Sequence, residues 1–189
     1  MQSPAKASHA IRIATKQRYT TTAVLLHWLS ALLIVSAFTL GWIMTDIHGI
    51  TPTKLRYYSW HKWLGVTVFA VACIRTLWRA THTPPPPPPG TPAWQAKAAD
   101  GVHLLLYFLI LAVPVSGYLY TLAAGVPVVY LGLIQLPAII APNPELKPLL
   151  KDLHYVMTMS LAGFVALHVA AALKHQFIDR NGILQRMLP

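Results

Sequence analysis

Charge is what this 189-residue chain has least of. Lys, Arg, Asp and Glu make up 11% of it and the mean hydropathy is +0.50, where soluble domains carry about a quarter charged residues. Acidic groups are scarcest, five against fifteen basic ones, for a net charge of +10. The shortage is also concentrated. None of the four charged residue types occurs in the 27 residues between Arg18 and Asp46, the 44 between Asp100 and Glu145, or the 21 between Asp152 and Lys174. About 20 apolar residues are enough to cross a bilayer, so a soluble globular domain is excluded. The basic excess then reads as loop charge that orients a membrane chain, with no nucleic-acid partner. Cysteine is nearly absent too. Cys73 alone rules out a disulfide framework and a Cys-based zinc site, and its expected place is the wall of a buried helix. The first apolar run, Ala23 to Met44, exceeds the usual signal core of about 7–15 residues and has no small-x-small cleavage site, so it is expected to remain as a helix.

What is present predicts an all-α integral membrane bundle of four helices, at about residues 20–44, 57–77, 101–122 and 153–174. They form a single domain over 20–175, between a basic tail of residues 1–19 and a C-terminal tail of 176–189. Trp60, Trp63 and Trp78 suit the interfaces. The hexaproline Pro84–Pro89 forbids helix and makes a stiff connector. Pro114 is tolerated as a kink inside a membrane helix. Between Ala123 and Ala141 the chain is apolar but broken by Gly125, Pro127, Gly132 and Pro137, which predicts an interfacial or short re-entrant loop instead of a fifth span. Ten Lys and Arg then fall on the side of the termini and the second loop, and five (Lys54, Arg56, Lys62, Lys147, Lys151) on the other. By the positive-inside tendency both termini are expected in the cytoplasm.

Nine histidines are many for so apolar a chain. His9, His48 and His82 fall in tails or loops. His27, His61, His103, His154, His168 and His175 fall on the predicted helices, where ionisable groups are costly and usually mark function. His154 and His168 are fourteen residues apart, about 40° short of four turns, so both rings leave one face at depths roughly 21 Å apart. Two haems stacked in a bundle need such a ladder, with a second ligand facing each rung. His61 matches the depth of His154 and His27 that of His168, with His103 a competitor at the second level. Two neutral imidazoles per iron suit two low-spin, non-covalent haem b groups. Zinc or copper would favour carboxylate or thiolate company, which the spans lack. Arg75, fourteen residues after His61 on the same face, is a candidate partner for a haem propionate or a snorkelling cation. Small residues at Gly65, Ala70, Ala72, Ala162, Gly163, Ala166 and Ala170–Ala172 would leave room for a macrocycle or simply allow helix packing.

These motifs in order resemble the bacterial cytochrome b561 family of small four-helix dihaem membrane proteins, which is in turn similar to the cytochrome b subunits of nickel-iron hydrogenases. The resemblance rests on Leu26-His27-Trp28-Leu29, His61-Lys62-Trp63-Leu64-Gly65 followed by Arg75 and Arg79, and the Pro-rich loop. It continues through His103-Leu104-Leu105-Leu106-Tyr107 with Pro114 and Gly117, then His154 and Leu167 to His175, over about residues 18–189. It implies the same axial pairs, His27 with His168 and His61 with His154. It also implies an inner-membrane respiratory protein that exchanges electrons with ubiquinone. Some members oxidise superoxide at the periplasmic face, making them oxidoreductases.

Three classes of function follow. One is a stand-alone enzyme passing electrons from a periplasmic donor, such as superoxide drawn by the five outer cations, through two haems to ubiquinone. Another is a membrane-anchor relay subunit for a separate redox protein such as a periplasmic dehydrogenase or hydrogenase. The last is a non-redox membrane protein, which would be colourless. His103, His175 and Arg79 are candidate contacts for a quinone carbonyl.

Overall fold

A computed structural model describes residues 18–88 and 90–188. Four long helices dominate it: α1 (Thr21–Asp46), α2 (Pro52–Thr81), α3 (Ala93–Ala123) and α4 (Leu146–Phe177). Their 26, 30, 31 and 32 residues are each long and apolar enough to cross a membrane. The predicted polar tail, apart from its last two residues, and its histidine His9 lie outside the described residues.

Local chemistry sets the boundaries. The Thr20 hydroxyl accepts from the Ala23 amide at 3.3 Å and starts α1. Thr51 caps α2 in the same way, accepting from Lys54 N at 3.1 Å with Pro52 in the first turn. These caps start α2 five residues before the expected position, because the charges of Lys54 and Arg56 do not oppose helix outside hydrocarbon. α3 and α4 likewise begin earlier than their apolar stretches, since hydropathy marks only the part in lipid. α3 ends where Gly125 takes φ +74°, Gly125 N bonds to Leu122 O at 2.9 Å, and Val126 N bonds to Thr121 O at 3.2 Å.

The segment after α3 folds back along the bundle as a hairpin, β1 (Val129–Tyr130) antiparallel to β2 (Ile134–Gln135), with Val129 opposite Gln135 and Tyr130 opposite Ile134. Trp63 Nε1 donates to Val129 O at 2.7 Å, the Tyr130 and Thr67 hydroxyls meet at 3.0 Å, and the Tyr118 hydroxyl donates to Pro137 O. Tyr118 lies five residues, about 7–8 Å, inside the end of α3. The loop folds against the bundle, and two of its backbone carbonyls, those of Val129 and Pro137, are taken by side chains of α2 and α3.

At the opposite end the two described segments meet. Trp28 Nε1 donates to Met187 O (2.6 Å) in the final 3-10 turn, Leu184–Met187, and Arg186 Nη1 donates to Pro86 O (2.7 Å). This is the terminal end, and the other the hairpin end. α1 packs on α2, α2 on α3, and α3 on α4. The core lies midway: Ala72, Leu109, Ile110 and Leu161 are buried together, with Ile34, Met157 and Phe164 against them. Outward residues such as Leu32, Trp42 and Leu104 are exposed apolar groups, as a lipid-facing surface demands.

Two outcomes follow. Leu161→Ala should cost about 2–5 kcal/mol in mixed-micelle unfolding, because Leu161 is 6% exposed, whereas Leu104→Ala at 72% should change stability by less than about 0.5 kcal/mol. The end of α4 is held by Asp179, which takes Lys174 Nζ at 2.7 Å and His175 Nδ1 at 2.7 Å. The Lys174 hydrogen bond keeps this carboxyl below its ordinary 3.8. A depressed carboxyl stabilises fully above its unfolded value and loses that contribution as pH falls through its lower folded value. Amide protection over residues 174–178 should therefore drop only below about pH 4, and Asp179→Asn should show the lowered protection at every pH.

Candidate haem-binding site

A seven-residue step runs along every helix and sorts the interior into three layers. α1 carries His27, Ile34 and Gly41; α2 carries His61, Val68 and Arg75; α3 carries His103, Ile110 and Gly117; α4 carries His154, Leu161 and His168. Seven residues are 20° short of two turns, so each trio shares a face. The middle members are the apolar layer, where Val68, Ile110 and Leu161 are all buried. Polar groups occupy the layers on either side.

At the hairpin end the rings of His61 and His154 lie 6.3 Å apart, centroid to centroid, at 82°. His61 Nδ1 is 3.0 Å from Ala37 O on α1. His154 Nδ1 is 3.1 Å from both Val113 O and the Ser116 hydroxyl on α3, and Ser116 donates its own hydrogen to Val113 O. A carbonyl accepts only, so both Nδ1 atoms carry the proton and both Nε2 atoms keep free lone pairs. Backbone carbonyls holding Nδ1–H is how ligating histidines are oriented. Gly41 and Gly117 make these contacts possible. A Cβ at Gly41 would stand 3.1 Å from His61 Cε1, and one at Gly117 only 2.8 Å from His154 Cε1. No heavy atom lies within 4 Å of where a Cβ would stand on Gly65 or Gly163, the glycines singled out from the sequence as room for a macrocycle.

At the terminal end His27 and His168 lie 6.1 Å apart at 63°, and His103 is 5.5 Å from His168. The expected pairs and the expected competitor are therefore all brought together. Arg75 reaches this layer: its Nη2 is 3.0 Å from His27 Nδ1, and its guanidinium sits 5.2 Å over the Tyr107 ring. Guanidinium only donates, so here His27 Nδ1 accepts and its proton sits on Nε2. His175 is not in the layer; it is tied to Asp179 and Asn181 at the end of α4. His82 stacks on Trp78 at 3.8 Å, outside the bundle. Cys73 is half-buried. The sequence reading gave no site role to Gly41 or Ser116 and named Gly117 only within the family resemblance. Counting fourteen residues on from His27 and from His103 would have found the two glycines.

Each pair of facing imidazoles, His61 with His154 and His27 with His168, could hold an iron between its two rings. Among the described residues no three His, Cys, Asp or Glu side chains converge on one point, so a two-ligand centre needs its remaining donors from a macrocycle. The sequence profile of the family described as prokaryotic cytochrome b561 matches residues 18–189. The chain belongs to the prokaryotic cytochrome b561 family. It is a b-type, haem-binding membrane protein of electron transfer. Two relatives in this family come from Escherichia coli K12. Cytochrome b561 homolog 2 is 34% identical over 92% of this chain and 93% of its own length, and cytochrome b561 homolog 1 is 30% identical over 91% and 97%. A Yersinia pestis protein named "Probable superoxide oxidase CybB" is 28% identical over 92% and 97%.

For this cytochrome b561 the glycine contacts give a direct test. Gly117→Val should push the His154 ring off Val113 and Ser116 and lower the haem bound per chain, measured as pyridine haemochrome. Gly163→Val should leave haem content unchanged. Equal loss in both variants would remove Gly117 from the site.

Proposed function

We propose that this protein is a dihaem relay carrying electrons across the bacterial inner membrane, from a periplasmic donor at the hairpin end to ubiquinone. The observation that carries the reading is the pair of facing imidazoles at each of two levels, fourteen residues apart on α4. His61 with His154 would hold one haem b, and His27 with His168 the other. His103, whose ring lies 5.5 Å from that of His168, would lie beside the second haem. Bound haem supplies one-electron exchange; the chain supplies orientation and an apolar layer between the levels. Ligation through His27 Nε2 would move its proton to Nδ1, which can no longer accept from Arg75. Arg75 would then turn to another acceptor, for which a haem propionate is suited.

Orientation follows from charge: the terminal end, richer in Lys and Arg, would face the cytoplasm. Lys54, Arg56, Lys62, Lys147 and Lys151 at the hairpin end outnumber Asp46, Glu145 and Asp152 and would favour an anionic donor. The name of the Yersinia relative supports superoxide as that donor. Two superoxide ions would each release one electron and leave as O2, and ubiquinone would take both electrons with two protons.

Purified protein should bind two haem b per chain and about one in each of the His27→Ala, His61→Ala, His154→Ala and His168→Ala variants. The remaining reduced band should be shared by His61→Ala and His154→Ala and should differ from that of the His27→Ala and His168→Ala pair. His103→Ala should keep both haems; loss of one there would give the second level to α3. Stopped-flow mixing with superoxide should reduce the wild type within a second, and haems that stay oxidised would exclude that donor.

A further inference from the structure

Beyond the histidine layers, the terminal end contains a cavity of about 270 Å³ whose wall includes Arg18, Arg75, Arg79, Tyr19, Trp78 and Tyr107 and no Asp or Glu. Three guanidinium groups share one recess. Arg75 is engaged by His27 and Tyr107. Arg18 and Arg79 form no ion pair or side-chain hydrogen bond with any described residue. Like charges gathered in one recess repel, and an anion placed among them relieves that repulsion.

The surroundings indicate which anion. The recess opens where the chain ends meet, and its rim is fixed by side-chain bonds. Trp78 Nε1 donates to Thr20 Oγ1 at 3.2 Å, Arg186 Nη1 to Pro86 O, and Trp28 Nε1 to Met187 O. Pro86 and Met187 themselves line the cavity. Arg18 and Tyr19 precede α1, and Arg79 is in the last turn of α2. Trp and Tyr gathered at helix ends mark the headgroup level of a bilayer. At that depth the abundant anion is the phospholipid phosphate, for which guanidinium offers paired donors.

We propose that this cavity binds the phosphate of an anionic phospholipid headgroup from the leaflet at the terminal end, with Arg18 and Arg79 as its ligands and the Tyr19 hydroxyl beside them. The cavity shares Arg75 with the haem assignment, in which that guanidinium turns to a propionate; the phosphate is assigned to Arg18 and Arg79 alone. It ties one lipid to the start of α1 and the end of α2.

The test compares phosphatidylglycerol with phosphatidylcholine on the full, haem-loaded protein, by native mass spectrometry and by thermal midpoint in detergent. The wild type should retain phosphatidylglycerol preferentially and be stabilised by it but not by phosphatidylcholine. Arg18→Gln/Arg79→Gln should weaken that retention roughly tenfold or more and abolish the selective stabilisation. Lys97→Gln/Arg180→Gln removes the same charge from the same end outside the cavity and should retain both. Equal loss in the two double variants would reduce the effect to general surface charge and overturn the site. Protection of the wild type by inorganic phosphate alone would assign the cavity to a free anion instead. Loss of haem absorbance in Arg18→Gln/Arg79→Gln with lipid selectivity intact would give the arginines to a haem propionate. Absence of any preference in the wild type overturns the proposal even if the variant fails to fold.

Discussion

A neutral imidazole placed in hydrocarbon has one N–H that must find an acceptor, because no water is there to take it. At the hairpin end this requirement organises the neighbouring helices. His61 on α2 finds Ala37 O on α1, and His154 on α4 finds Val113 O on α3. Helix carbonyls are recessed against the backbone, so each ring must press into the neighbouring helix. Gly41 and Gly117 lie where that happens. The consequence is chemical as well as structural: with Nδ1–H fixed to a carbonyl, Nε2 is the nitrogen left to ligate, and its direction is set by the packing of α1 on α2 and α3 on α4.

At the terminal end the contact runs the other way: Arg75 donates to His27 Nδ1, leaving the ring proton on Nε2, and its guanidinium also sits over the Tyr107 ring. A charged group so near the apolar layer is tolerated close to the interface, where the tail, the proline-rich connector and the final turn gather. The two levels thus sit in unlike electrostatic surroundings, neutral carbonyls at one and a cation at the other. Such differences in hydrogen bonding and charge separate the potentials of otherwise equivalent haem centres.

Between the levels, Ile34, Val68, Ile110 and Leu161 form a layer that serves stability and spacing together. Val68 and Leu161 each lie seven residues from a polar side chain on either side, and Ile34 and Ile110 each between a histidine and a glycine. Outside the bundle, the hairpin closes on Trp63, Thr67 and Tyr118. An even number of crossings keeps the two chain ends at the same face.

The amino-acid sequence by itself predicted four spans, set His27 at the depth of His168 and His61 at that of His154, and left residues 123–141 without a helix of membrane length, as they are among the described residues. Hydropathy and the 3.6-residue turn are local properties, and they place side chains along a helix before any neighbour is known. Helix ends such as Pro52 and Ala93 escaped it, because capping and helix propensity continue into water where hydropathy no longer marks the chain. Only the tertiary structure decided which nitrogen of His61 and His154 is left free, that Gly41 and Gly117 rather than Gly65 and Gly163 meet the rings, and that Arg18 and Arg79 share a recess. Those facts depend on how helices distant in sequence are rotated against one another. A rotation of a few tens of degrees changes which residue meets which carbonyl, and no single helix encodes it.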